Sequence, residues 1–201
     1  MSNIADKQLA NLSATHRADG YLETKVPIRH APFAAHAGGG FVIRDLHTSD
    51  AAACEEFFRS LDRHDIRMRF ASPRAYSSDL FLRDHGTTTV AAVDPMDAVL
   101  GIVNIARLSC DSAEIAIAIR SDVKRRGIGQ SLLARVIERM SCDGFEQLLG
   151  YVLAENQPML ALAWRMGFYG LRWDSLFVVV SRPLLPMPAT DCKGAAKRPS
   201  S

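Results

Sequence analysis

Strict alternation of bulky and small residues marks the segment 113–119, near the middle of the chain. Ile115, Ile117 and Ile119 fall on one face, whereas Glu114 shares the other face with two alanines. A period of two in β-branched residues is typical of a β-strand. The sequence therefore predicts a strand with one face bulky enough to be buried. The other face is lined with methyl groups and leaves room beside Glu114.

The pattern changes directly after this strand. A polar turn leads into the basic run 124–129, Lys-Arg-Arg-Gly-Ile-Gly. Apolar residues then recur at helical spacing: Ile128, Leu132, Leu133, Val136, Ile137 and Met140. Glycines let a ligand approach the backbone, and the start of a helix favours negative charge. The run predicts an anion site, although a Gly-x-Gly alone also fits a simple tight turn, and the glycine patterns of dinucleotide and P-loop sites are absent.

Further periodic segments on both sides of this unit predict an α/β fold. Strands are expected at 41–44, 87–93, 98–108, 147–153 and 176–180, and helices near 48–61, 62–70, 80–85 and 157–166. The sheet should be mixed, with an antiparallel front and one crossover around the helix that follows the glycine run. Residues 1–40 are predicted to be a mobile leader, 41–183 the folded domain, and 184–201 a disordered tail.

Composition narrows the class of protein only a little. The length of 201 residues and the hydrophobic content of 48% fit one domain. The net charge of +2 is too small to indicate a nucleic-acid partner. Four cysteines without Cys-x-x-Cys spacing and six unpaired histidines predict no metal site. No apolar run is long enough for a membrane span. We expect reduced thiols, a cytoplasmic location, no membrane partner, and a monomer or homodimer.

The run 124–129 resembles motif A of the GNAT superfamily of acyl-CoA N-acyltransferases, Gln/Arg-x-x-Gly-x-Gly/Ala, with Lys124 replacing Gln or Arg. This resemblance covers roughly residues 41–181 and implies the GNAT fold, whose sheet holds a splayed, parallel pair in its middle. It implies acetyl-CoA as cosubstrate, inserted between the splayed strands, with its pyrophosphate on the glycine run. The implied cofactor contacts are Ile117, Ala118, Ile119, Lys124, Arg125, Arg126, Gly127, Ile128, Gly129, Gln130 and Asn156; on the residues alone, Asn156 is a helix cap.

Three segments, within 57–70, 114–119 and 150–168, are similar to the acetyltransferase domain of bacterial Pat-type protein lysine acetyltransferases. That resemblance implies a protein substrate bearing a target lysine, typically an acyl-CoA synthetase. The regulatory or synthetase-like domain often fused to such enzymes has no counterpart in this sequence, so the family's regulation is not carried over.

Glu114 is the candidate catalytic residue. An attacking amine must lose a proton, and a carboxylate can accept it directly or through water. A lone Glu on a strand is more often a solvated residue. Here, however, the resemblance implies that Glu114 occupies the position of the family's general base. The family's tyrosine acid corresponds to Ala163, so solvent would protonate the leaving thiolate or no acid would be needed. Tyr151 and Tyr169 are nearby alternatives, although both also fit simple packing roles.

The sequence thus predicts transfer of acetyl from acetyl-CoA to a protein lysine by direct attack. The segments 57–70 and 74–83 contain many arginines and few acids, which would suit an acidic protein surface, although a solvated helix face is the favoured explanation for the arginines of 62–74. Two alternatives stay open: an enzyme acting on a small amine such as a polyamine, aminoglycoside or amino acid, and a non-catalytic acyl-CoA sensor.

Overall fold

The computed structural model describes residues 40–70, 87–172 and 176–185. Seven strands in these ranges form one sheet in the order β1-β2-β3-β4-β5-β7-β6. Their bounds are Val42–Asp45 (β1), Thr87–Val93 (β2), Val99–Arg107 (β3), Ser112–Ile119 (β4), Gln147–Leu153 (β5), Tyr169–Arg172 (β6) and Phe177–Pro183 (β7). The β4–β5 pair is parallel and every other neighbouring pair is antiparallel. The predicted α/β class, with an antiparallel front and a central parallel pair, is confirmed.

Four α-helices in the described ranges flank the sheet. They are Ala51–Ser60 (α1), Arg63–Phe70 (α2), Ile128–Cys142 (α3) and Gln157–Arg165 (α4), and short 3-10 turns lie at Thr48–Asp50 and Ser121–Val123. Two of their ends show recognised cap geometry, whereas Asp50 at the start of α1 makes no side-chain cap bond. Asn156 caps α4 by accepting a hydrogen bond from the Met159 N–H at 3.2 Å. Gly144 follows α3 in the left-handed conformation, with φ +78°.

The alternation in β4 separates two apolar clusters on the two faces of the sheet. Helices α3 and α4 cover the isoleucine face, where Leu132 and Leu133 are fully buried. Helix α1 covers the other face, where Phe57 packs in a cluster with Ile102 and Ala118. Helix α2 lies over the same face as α1. The isoleucine side of β4 therefore belongs to the main core, and the side that carries Glu114 lies beneath α1 and α2.

Three features differ from the expectations. Strand β6 was not predicted because Gly170 interrupts the apolar pattern; the Trp164 ring packs against this glycine, and a Cβ there would lie 2.6 Å from the ring unless the ring shifted. Strand β7 extends to Pro183, beyond the predicted 180. Cys54 and Cys110 are free thiols, but Cys142 is disulfide-bonded, so the expectation of reduced thiols is wrong there.

Several expectations concern residues outside the described ranges. They include the leader up to residue 39, the tail from 186, the helix at 80–85, and the arginines at 74 and 83. Within the described ranges, no helix combines the length and apolar character that a membrane crossing requires. The oligomeric state and the cytoplasmic location stay predictions.

Candidate active site

The parallel strands β4 and β5 separate halfway along their length. They pair at Ser112 with Gln147, Ala113 with Leu148 and Glu114 with Leu149, and no later pair forms although both strands continue. A cavity of about 1080 Å³ lies at this divergence and is lined on one side by Ile115–Ile119. Beyond Glu114, the N–H and C=O groups of β4 that point toward β5 therefore have no partner in that strand. An extended ligand could form hydrogen bonds with them.

The glycine run forms the start of α3 and lines the same cavity. Gly127 has φ +83° and Arg125 has φ +62°, so the loop passes twice through the left-handed conformation. The first helical hydrogen bond runs from the Ser131 N–H to the Gly127 carbonyl at 3.0 Å. The N–H groups of the preceding first turn therefore point out of the helix start, where the dipole favours an anion. With the exposed side chains of Arg125 and Arg126 beside it, the loop has the properties of a phosphate site.

Lys124 is oriented differently from these two arginines. Its ammonium group forms an ion pair with Asp65 of α2, and the Ser121 hydroxyl donates to the same carboxylate at 2.5 Å. The Asp65 side chain is only 11% exposed. In this structure the charge of Lys124 therefore ties the loop to α2, while the residue also contributes to the cavity lining.

The remaining predicted cofactor residues lie around the same cavity. Ile117, Ala118, Ile119, Ile128, Gly129, Gln130 and Asn156 all contribute to its lining. Gly129 brings α3 close to α4, since a Cβ there would lie 3.2 Å from the Leu162 side chain. The side-chain oxygen of Asn156 accepts the hydrogen bond that caps α4. The side-chain NH₂ group is therefore the donor that Asn156 can offer to a ligand.

Glu114 is partly buried at the last paired position of β4, on the face covered by α2. Burial raises the pKa of its carboxyl group, and the charge of Arg69 opposes that rise. Glu114 does not itself line the cavity, but Arg69 and Tyr151 do. Burial, with a smaller contribution from Glu114, raises the pKa of Tyr151. Three ionisable groups from α2, β4 and β5 therefore interact at the edge of the cavity.

Part of this arrangement was missed by sequence reasoning. The Arg69 guanidinium group donates to the side-chain oxygen of Asn104 at 2.9 Å, and the side-chain NH₂ group of Asn104 donates to the Thr89 hydroxyl at 2.9 Å. The available signal was a single Asn inside the otherwise apolar strand β3. Ala163 is 1% exposed in the main core, so the position of the family's tyrosine acid holds no proton donor. Tyr169 is 45% exposed on β6 and does not line the cavity.

A splayed parallel pair beside a basic loop at a helix start, with a carboxylate at the point of divergence, is the arrangement that the resemblance to GNAT acyltransferases implies. The chain belongs to the acetyltransferase (GNAT) family, which matches residues 50–168, more than half of its length. The chain is accordingly an enzyme of the N-acetyltransferase type. In the described ranges, no group of three or more His, Cys, Asp or Glu residues could hold a metal ion.

Solved structures with the same fold are diverse. The GNAT domain of S. lividans PAT matches with a TM-score of 0.67 and 19% identity, over 72% of this chain and 90% of that one. A Sinorhizobium meliloti phosphinothricin acetyltransferase in complex with AcCoA matches with 0.60 and 19%, over 77% and 94%. Spermidine N-acetyltransferase from Vibrio cholerae, in complex with CoA and spermine, matches with 0.59 and 16%, over 72% and 95%. At these identities the similarity extends to the fold alone.

Proposed function

We propose that the protein transfers the acetyl group of acetyl-CoA to a lysine side chain of a protein substrate, with Glu114 as general base. The observation that carries this proposal is the position of Glu114, a partly buried carboxylate at the last residue pair before β4 and β5 diverge. A donor thioester bound in the divergence would lie next to this carboxylate. An amine arriving over the α2 face would then meet both groups.

Acetyl-CoA binding is supported by the cavity and by the loop at the start of α3. The pantetheine chain would run along the unpaired edge of β4, beside Ile117–Ile119. The pyrophosphate would bind the N–H groups of residues 127–130, with Arg125 and Arg126 pairing its charge. Asn156 would add an amide donor from the start of α4.

The reaction begins with loss of a proton from the acceptor, because a lysine ammonium group has a pKa of about 10.4 and cannot attack while protonated. Glu114 accepts that proton, directly or through water. The amine nitrogen attacks the thioester carbonyl carbon, the C–N bond forms, and the C–S bond breaks with its electron pair on sulfur. The nitrogen then loses a second proton, which passes to the thiolate directly or through solvent and leaves a neutral amide and a thiol. Burial raises the pKa of Glu114 and makes it a stronger base than a solvated carboxylate, while the charge of Arg69 opposes that rise and favours the ionised form.

The leaving thiolate makes little demand on an acid, because thiols have a pKa of about 8.5. Tyr151 is the candidate donor that the geometry favours, since it lines the cavity on the face of Glu114. Its raised pKa keeps it protonated at neutral pH but makes it a weak acid. We therefore expect Tyr151→Phe to lower kcat by less than about tenfold, below the usual range for general acid–base catalysis. A larger loss would make Tyr151 an obligatory proton donor.

The choice of a protein lysine rests on the charges at the α2 side of the cavity. Of the described α2 arginines, Arg67 pairs with Glu155 at 2.7 Å and Arg69 with Asn104, so part of the predicted positive surface is engaged within the fold. The one carboxylate that α2 contributes to the cavity lining, Asp65, is occupied by Lys124 and Ser121. A polyamine would therefore find little uncompensated negative charge on α2.

Competition between acceptors tests the proposal. The purified protein and acetyl-CoA are offered a bacterial acyl-CoA synthetase together with polyamines, aminoglycosides and amino acids, and products are identified by mass spectrometry. We expect lysine acetylation of the synthetase, reduced about 10²–10⁴-fold in Glu114→Gln, the usual scale for loss of a general base. Rapid acetylation of a small amine without labelled protein would establish the small-amine alternative. Acetyl-CoA binding without transfer to any acceptor would establish the sensor.

A further inference from the structure

Two consecutive hydrogen bonds link three polar side chains on the sheet face beneath α2. Arg69 Nη2 donates to Asn104 Oδ1 at 2.9 Å, and Asn104 Nδ2 donates to Thr89 Oγ1 at 2.9 Å. Asn104 is 7% exposed and Thr89 is 3% exposed. Burying such groups is costly unless they are hydrogen-bonded, so this chain fixes the guanidinium group at one place on the face.

Strand register locates that place relative to Glu114. Asn104 lies opposite Ala116 and Ala106 lies opposite Glu114 in the β3–β4 pair. Asn104 and Glu114 are therefore diagonal neighbours on the same face, a relation that separates residues by roughly 7–8 Å and is bridged by long side chains. A guanidinium group bound to Asn104 is within short range of the Glu114 carboxylate, in agreement with the Coulomb interaction between the two.

We propose that Arg69 is a positioning residue for Glu114: anchored by Asn104, its guanidinium group stabilises the ionised form of the carboxylate at the point where β4 and β5 diverge. This inference rests on the proposed function, in which Glu114 must be deprotonated to act. The competing explanation is that Arg69 only fastens α2 to the sheet. The two explanations differ in whether the ionisation of Glu114 depends on the charge of Arg69.

The other described groups around Glu114 leave Arg69 as the cation that acts on it. Tyr151 faces it from β5 and is neutral at ordinary pH. Strand β3 presents Ala106 and the uncharged Asn104. Arg67, on the same helix as Arg69, is directed to Glu155, with side chains that are 58% and 50% exposed. Arg67 therefore supplies a matched control with the same charge, the same helix and a different direction.

Direct titration of Glu114 tests the inference without any acceptor. The side-chain carboxyl carbons of glutamate are labelled with ¹³C, the Glu114 signal is identified by its loss in Glu114→Gln, and its pKa is measured by NMR. Arg69→Gln keeps an amide donor for Asn104 but removes the charge, whereas Arg69→Lys keeps the charge. We expect the pKa of Glu114 to rise in Arg69→Gln, to rise less in Arg69→Lys, and to stay unchanged in Arg67→Gln.

An unchanged pKa in Arg69→Gln, or an equal shift in Arg67→Gln, overturns the inference. If Arg69→Gln does not fold, Asn104→Ala replaces it, because releasing the anchor should also raise the pKa of Glu114. No shift in that variant would equally reject the role. Circular dichroism and acetyl-CoA affinity by calorimetry report whether each variant keeps its fold.

A pH profile of synthetase acetylation separates failure of this inference from failure of the proposed function. In Arg69→Gln, kcat/KM should fall more at acidic than at alkaline pH, because a larger fraction of Glu114 is then protonated; one nearby opposite charge sets a scale of about tenfold or more for the full difference. A uniform loss across pH would assign Arg69 a purely structural role. Near-normal turnover of Glu114→Gln would instead remove the general base, and the titration would still decide whether Arg69 controls its ionisation.

Discussion

The phosphate role of the loop can be tested at Gly127 with two substitutions that differ only in charge. Gly127 is exposed, has φ +83°, and a Cβ placed on it meets no atom within 4 Å. Asn and Asp are the side chains that tolerate the left-handed conformation best, and they have nearly the same shape. Gly127→Asn and Gly127→Asp should therefore share the same backbone strain, about 1–2 kcal/mol. The difference between them isolates electrostatics.

The size of that difference follows from the exposed position of the loop. Two unit charges about 6 Å apart interact by roughly 0.7 kcal/mol in water and roughly 2.8 kcal/mol at an effective dielectric constant of about 20. With a pyrophosphate bound at the loop, Gly127→Asp should therefore bind acetyl-CoA about 1–3 kcal/mol more weakly than Gly127→Asn. That range corresponds to roughly 5- to 150-fold in Kd.

Titration calorimetry at two salt concentrations measures both the difference and its origin. The gap between the two variants should shrink as salt increases, because exposed charges are screened beyond about 10 Å at about 0.1 M. Urea unfolding checks that both variants lose the same stability. Equal affinities of Gly127→Asn and Gly127→Asp at low salt would refute the placement of the pyrophosphate on this loop.

Three further substitutions probe the surrounding structure. Gly129→Ala should change the free energy of unfolding, measured in urea, by less than about 1 kcal/mol. The new Cβ would lie 3.2 Å from the flexible tip of Leu162, and the higher helix propensity of alanine offsets this crowding. A larger loss of stability would mean that the contact cannot relax. Asp65→Asn should lose about 1–3 kcal/mol of stability and bind acetyl-CoA more tightly in calorimetry, because Lys124 is released beside the loop; weaker binding would contradict this. Glu114→Gln should raise Tm at neutral pH, since burial raises the folded-state pKa of Glu114 and its charge costs stability there. That gain should shrink as the pH falls through the folded-state pKa and vanish well below 4.5, where the carboxyl is protonated in both states; a gain that persists in acid would refute the assignment.

Local pattern was sufficient for the central unit of the fold. The alternation in 113–119 and the change to helical spacing after 124–129 involve neighbouring residues, so the strand, the turn and the helix could be read together. The isoleucines and Ala118 pack in different apolar clusters on opposite faces, and Glu114 is partly buried, in agreement with the predicted alternation. The crossover around α3 was expected from the pattern and implies the parallel pairing of β4 with β5, whereas their divergence was expected only through the family resemblance.

Contacts between distant segments could not be read in the same way. Lys124 was expected at the phosphate, but Asp65, 59 residues earlier, binds its side chain. The bond between Arg69 and Asn104 joins residues 35 apart, and the pattern of arginines in α2 fits a solvated face equally well. A polar residue inside an apolar strand signals a buried partner but does not identify it, because many donors in the chain could reach it.

The register of β4 links the core to the proposed chemistry. Gly101 on β3 lies opposite Ile119, and a Cβ on Gly101 would come within 2.5 Å of the Ile119 Cδ1 atom, so the absence of a side chain there accommodates the isoleucine. A slip of one residue would turn the isoleucines toward α2 and Glu114 into the main core, where an unpaired carboxylate is strongly unfavourable. Packing on the isoleucine face thereby selects the register that puts Glu114 beside Arg69 and Tyr151. The residues that stabilise the sheet and the residue proposed as base are thus constrained by the same alternation.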